Sequence, residues 1–171
     1  MRAIVGVVSL LLLAGCSSAP ASNAASAPAT ADAPGQLAVA APAAPLDAAG
    51  ELAKLKAAGL PIGATGVVTA ADDPNHLLGR PNGYTSKVYW TDTRVDKTKI
   101  YAASAGGTDP GGAIESYADA AGAQARKDYI GAIAKASPAL ANEYDYLAGT
   151  SLIRVSGLLT PDQAKQYEAA G

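Results

Sequence analysis

The chain has no phenylalanine, and only one tryptophan, one histidine, one methionine and one cysteine in 171 residues. Eight tyrosines must therefore supply nearly all of its aromatic packing. One histidine and one cysteine cannot build a typical structural zinc site or an intrachain disulfide. The net charge of −2, with acids and bases interspersed, leaves no basic footprint for nucleic acid and no polybasic membrane patch. No Gly-x-Ser-x-Gly elbow, Ser-x-x-Lys pair, Walker loop or Gly-x-Gly-x-x-Gly stretch occurs. The glycine-rich GGTDPGG at 106–112 lacks the lysine and following helix that phosphate binding needs, so it reads as a turn. Asp72 and Asp73, like Asp92 and Asp96, lack the spacing of an EF-hand calcium loop. These absences weigh against an enzyme, and no cofactor or metal is expected.

The strongest positive signal lies at the start. Arg2 is followed by an apolar run from Ala3 to Ala14, broken only by Gly6 and Ser9. That run is shorter than the roughly 20 residues a membrane-spanning helix needs, and it ends in small residues as a signal peptide does. Leu13-Ala14-Gly15-Cys16 comes next, then Ser17 and Ser18. The tetrapeptide resembles the lipobox of bacterial lipoproteins. That resemblance implies a diacylglyceryl group on the Cys16 thiol, cleavage before Cys16, and further acylation, with palmitate-type chains, of the new amino group in some organisms. Buried lipid contributes about 0.8 kcal/mol per methylene, so two or three chains would anchor the protein durably.

Residues 16–45 follow as the lipidated cysteine and a linker of alanine, proline and serine, with Asp32 its only charge. Scattered prolines and the lack of any hydrophobic period predict a disordered spacer with a reach on the order of 30 Å. Residues 46–171 are expected to form one small domain. Asp47 is placed to cap a helix that Gly59 and Pro61 end, with Leu52 and Leu55 on one side. Strands are predicted over 64–70, 84–95, near 99–103 and over 112–117, with Val88 and Trp90 facing opposite to Tyr89 and Thr91. A long helix is predicted from Asp119 to Ala136, with Tyr129, Ile130 and Ile133 as its inner face. A hairpin over 143–157 should turn at Ala148-Gly149. Thr160-Pro161-Asp162-Gln163 has capping-box spacing and should start a C-terminal helix containing Tyr167. The order of elements predicts an α+β fold: a small, mainly antiparallel sheet with two or three packed helices.

Chemistry is concentrated in DPNHLLGRPNGYTSK (73–87), which holds the only histidine. Asp73-Pro74 and Asn82-Gly83 are turn formers, and Leu77 and Leu78 could pin the segment to the core. One reading is a tight connector whose polar residues are solvated or bonded locally. The other is a recognition surface built from Asp73, Asn75, His76, Arg80, Tyr84 and Lys87, with Arg80 suited to a carboxylate or phosphate and His76 to proton transfer. Glu115, Glu143 and Asp145 could form a carboxylate pair, but nothing in the sequence brings them together.

The same segment, with a leading helix ending in AAGLP and an ending of the YDYLAGTSLIRVSGLLTPDQAKQYE type, resembles small exported lipoproteins of actinobacteria. The resemblance covers most of residues 46–170 and implies one anchored extracytoplasmic domain on the outer face of the cell membrane. It carries no activity and no catalytic residue. The expected function is a non-catalytic binding or cell-envelope accessory module with an envelope protein or polymer as partner. The alternatives are an envelope hydrolase using His76, or an inhibitor or immunity-type module presenting a Trp90/Tyr89 patch to an external protein. Replacing Cys16 with Ala should move the chain from the membrane fraction to the medium or leave it unprocessed. Undiminished retention in the membrane fraction would contradict the anchor.

Overall fold

The computed structural model describes residues 44–101, 106–138 and 142–171. The predicted signal segment, Cys16 and the spacer as far as residue 43 lie outside the described residues. The elements run α1 (Ala48–Ala57), β1 (Ile62–Val67), β2 (Ser86–Asp92), β3 (Gly111–Ser116), α2 (Ala120–Ala136), β4 (Glu143–Ala148), β5 (Ser151–Ser156) and α3 (Pro161–Ala170). The α+β class expected from the element order is the one observed, with a five-stranded antiparallel sheet in the order β1-β2-β3-β5-β4.

Local chemistry sets the boundaries. Asp47 accepts from the Gly50 N–H at 2.8 Å and Asp119 from the Gly122 N–H at 2.8 Å, so each satisfies a donor that the first helical turn leaves without a partner. At α3 the capping box is complete: Gln163 N–H donates to Thr160 Oγ1 at 3.3 Å and Thr160 N–H to Gln163 Oε1 at 2.9 Å. Gly149, with φ of 59°, supplies the left-handed position of the β4–β5 turn. That turn is Gly149-Thr150, one residue later than expected, because Ala148 still pairs with Ser151.

Two strand expectations need correction. The first strand starts and ends earlier than predicted, at Ile62–Val67, and the second is shorter than predicted, giving way to a turn after Asp92. No strand forms near 99–103 among the described residues. Lys97–Lys99 is instead a single 3-10 turn, because the Asp96 side chain accepts from Thr98 N–H at 3.0 Å and from its hydroxyl at 2.7 Å. Residues 102–105 lie outside the described residues.

Strand alternation divides the sheet into two unlike faces. Val88, Trp90, Ile114, Ile153 and Val155 share one face, where they pack with Leu52 and Leu55 of α1 and Tyr167 of α3. Trp90 is fully buried there and donates its indole N–H to the Tyr167 hydroxyl at 3.2 Å. The Tyr167 hydroxyl in turn donates to Asp92 at 2.6 Å, and Arg94 closes on the same carboxylate at 2.7 Å. Gly112 sits opposite Trp90 in the β2–β3 register, and a methyl group there would collide with the indole ring and the Arg154 carbonyl. Mixed aliphatic and aromatic packing plus one satisfied chain of four polar groups makes this face the structural core.

The other face carries Lys87, Glu115, Leu152 and Arg154, with Glu143 and Asp145 on the edge strand β4. Because β3 and β4 both lie antiparallel to β5, they are parallel to each other, and α2 is the crossover between them. Helix α2 therefore lies over β4 and β5. The long β1–β2 connection fills part of the remaining space through Tyr84, Leu77 and Leu78, which pack with Tyr117, Ala123 and Leu152. No helix among the described residues is long and apolar enough to cross a membrane.

Candidate functional site

The connector 73–87 is organised by one buried carboxylate. Asp73 Oδ2 accepts from the N–H groups of Leu77 at 2.7 Å and Leu78 at 3.0 Å. Its Oδ1 accepts from Asn75 N–H at 3.2 Å and from the Tyr84 hydroxyl. Burial raises the Asp73 pKa, but the Tyr84 bond and the three backbone donors outweigh it and hold the carboxyl down at about 2. Around this anchor the backbone makes three successive turns, closed by His76 N–H to Asp73 O, Arg80 N–H to Leu77 O and Gly83 N–H to Arg80 O. His76 and Asn82 adopt left-handed backbone at φ of 53° and 63°. The leucines point inward as pins, which is the connector reading.

The six residues singled out in this segment do not converge. Asp73, Tyr84 and Lys87 are interior, whereas His76 and Arg80 are exposed. His76 makes no ion pair with a carboxylate among the described residues. Asn75 is the exception: its carboxamide reaches Lys87 Nζ at 3.1 Å and Arg126 Nη2 at 3.3 Å, two donors that assign its oxygen to that side.

These contacts lead to a charged cluster on the second sheet face. Glu115 is fully buried and receives Arg154 Nη1 at 2.7 Å, Arg126 Nε at 3.0 Å and Lys87 Nζ at 3.3 Å. The Tyr117 hydroxyl also donates to it at 3.1 Å. Burial disfavours the ionised carboxylate, yet Arg154, Arg126 and Lys87 together reverse the effect and hold its pKa at about 2. Lys87 is pulled below the ordinary lysine value, with burial outweighing the attraction of Glu115. Arg154 then links outward, its Nη2 donating to both oxygens of Glu143 at 2.9 Å.

Asp145 completes the cluster differently. It lies opposite Arg154 in the β4–β5 register, with Oδ1 4.0 Å from Arg154 Nε, and neither atom has a hydrogen-bond partner among the described residues. Burial, then the Glu143 charge, pushes its pKa up to about 7 against the pull of Arg154; Glu115 adds to the rise and Lys127 of α2 opposes it. One face of the sheet thus gathers Glu115 of β3 and the β4 carboxylates Glu143 and Asp145 around one guanidinium.

Above this cluster a cleft of about 600 Å³ opens between α2 and the 73–87 connector. Its polar end is formed by Arg126, Arg154 and Glu143, and its walls by Tyr129, Ile130 and Ile133. This corrects the expected inner face of α2. Ile130 packs against the core beside the buried Ala123, as expected, while Tyr129 and Ile133 stay 58% and 36% exposed along the cleft. The side-chain direction of a helix residue places Tyr129 beneath Arg126, whose guanidinium lies 5.6 Å from the ring centroid. Sequence reasoning missed Arg126 and Arg154. For Arg154 the available signal was a charged residue inside an apolar strand, SLIRVS; Arg126, on a helix, gave none.

Chemically, the site offers fixed guanidinium donors beside an apolar and aromatic wall. No group of three or more histidine, aspartate or glutamate side chains among the described residues is placed to hold a metal ion. No family model, curated protein or solved structure matches the chain.

Two stability measurements follow from the cluster. Glu115→Gln leaves three cations around a neutral amide and should cost about 3–5 kcal/mol in urea denaturation. Lys87→Met removes only one of three partners and should cost less than half as much; equal losses would contradict a shared carboxylate. The Asp145 proton gives the second. Its native pKa lies above the ordinary 3.8, so the folded state binds more protons and loses stability as pH rises from about 4 to about 7. Asp145→Asn should remove that loss and gain on the order of 2 kcal/mol at pH 8 with little change at pH 4. An unchanged pH profile would show that Asp145 titrates normally.

Proposed function

We propose that the chain is a membrane-anchored extracytoplasmic lipoprotein whose α+β domain is a non-catalytic binding module of the cell envelope, and that the α2 cleft receives its ligand. The observation that carries this reading is the cleft itself: apolar and aromatic walls beside polar groups already fixed by buried ion pairs. Pockets that bind small molecules combine these features, and a volume of about 600 Å³ lies within their range. The anchor rests on the lipobox-like Leu13-Ala14-Gly15-Cys16 and the spacer after it. A tether of that kind would hold the cleft outside the membrane, facing soluble ligands or an envelope partner.

The alternatives have less support. A hydrolase using His76 needs a carboxylate beside the imidazole, and His76 is exposed, with no such partner among the described residues. A protein-binding patch containing Trp90 is at odds with the complete burial of that side chain.

A neutral environment-sensitive dye such as Nile red tests the cleft directly. Its fluorescence should rise on binding the purified chain, Ile133→Glu should weaken binding at least tenfold, and His76→Ala should leave it unchanged. Binding indifferent to Ile133→Glu would place the ligand elsewhere.

A further inference from the structure

Hydrogen-bond capacity in the cleft is lopsided. Both oxygens of Glu115 are taken, one by Arg154 and Lys87, the other by Arg126 and Tyr117. Both oxygens of Glu143 are taken by Arg154. The donors are not exhausted. Arg126 gives Nε–H to Glu115 and one Nη2–H to Asn75, and its Nη1 has no partner among the described residues. A guanidinium carries five N–H donors in a planar fork, so the outer edge of Arg126 remains to be satisfied at the cleft. A ligand seated against that edge must bring acceptors.

We infer that the cleft takes an organic monocarboxylate with an apolar body, its carboxylate on the outer edge of Arg126 and its body along Tyr129, Ile130 and Ile133. This rests on the reading of the cleft as the binding surface and adds the class of ligand. Two features select the class. The Arg126 fork matches a planar carboxylate, and it is held in orientation from behind by Glu115 and below by the Tyr129 ring. A second negative charge on the ligand would approach Glu143, whose one cationic partner among the described residues is already engaged, so a monoanion fits better than a phosphate dianion. The walls then supply the rest of the affinity: Tyr129 and Ile133 expose apolar surface that a bound chain or ring would cover.

The test uses four small soluble probes with the full chain in calorimetric titration: 3-phenylpropionate, 3-phenylpropanamide, 2-phenylethylammonium and acetate. 3-Phenylpropionate should bind at least tenfold tighter than each of the others, since only it has both the charge and the body. Arg126→Gln should abolish the preference over the amide, and Arg126→Lys should recover part of it. Ile133→Glu, at an exposed position, should weaken 3-phenylpropionate at least tenfold and keeps the test decisive if Arg126→Gln fails to fold. Amide or ammonium binding as tightly as the carboxylate, still lost in Ile133→Glu, would overturn the carboxylate assignment while leaving the cleft as the binding surface. Absence of binding by all four probes at millimolar concentration, with Nile red still bound, would overturn it equally.

Discussion

The domain depends on a carboxylate with no access to water. Glu115 sits at the centre of the sheet, and three cations from three different elements meet on it: Lys87 from β2, Arg154 from β5 and Arg126 from α2. An isolated charge in that position would cost many kcal/mol, so the fold is acceptable only if all the partners arrive together. That requirement ties strand register, helix placement and connector geometry to one point. Lys87 and Glu115 are direct cross-strand partners, so a one-residue slip between β2 and β3 would move both to opposite environments. The ion cluster specifies register more sharply than apolar packing alone could.

The same constraint shapes the cleft. Arg126 reaches Glu115 only if α2 is docked with Ala123 against the sheet, and that docking leaves Tyr129 and Ile133 on an open side. The connector closes the opposite wall because Asp73 folds it back on itself and holds Tyr84 against Tyr117, with their rings edge to face at 6.1 Å. Two buried carboxylates, Asp73 and Glu115, thus organise the two sides of one opening. Asn75 joins them, since its side chain touches both Lys87 and Arg126. The polar groups of the site are structural first, and their spare donors are what a ligand can use.

Much of the fold was legible in sequence because its signals are local. Asp47, Asp119 and the Thr160–Gln163 box marked helix starts through side-chain bonds to the next turn. The alternation of Val88 and Trp90 with Tyr89 marked β2, and Leu77 and Leu78 read correctly as pins. The site was far less legible. Glu143 and Asp145 reach Arg154 within the predicted β4–β5 hairpin, but Glu115 and Arg126 join them only through pairing of β3 with β5 and docking of the α2 crossover, which no local pattern encodes. Tyr129 and Ile133 have the spacing of a core face, yet the crossover turns that face toward an opening instead. His76 stood out by being unique, but it is exposed and away from the cluster.

The most direct measurement is the ionisation of Glu115 itself, followed by its side-chain 13Cδ shift from pH 7 downward. Three converging cations should keep it ionised, with a midpoint of about 2. A titration step near the ordinary glutamate value of 4.5 would mean that the cations do not converge on it, and would contradict both the buried cluster and the cleft built upon it.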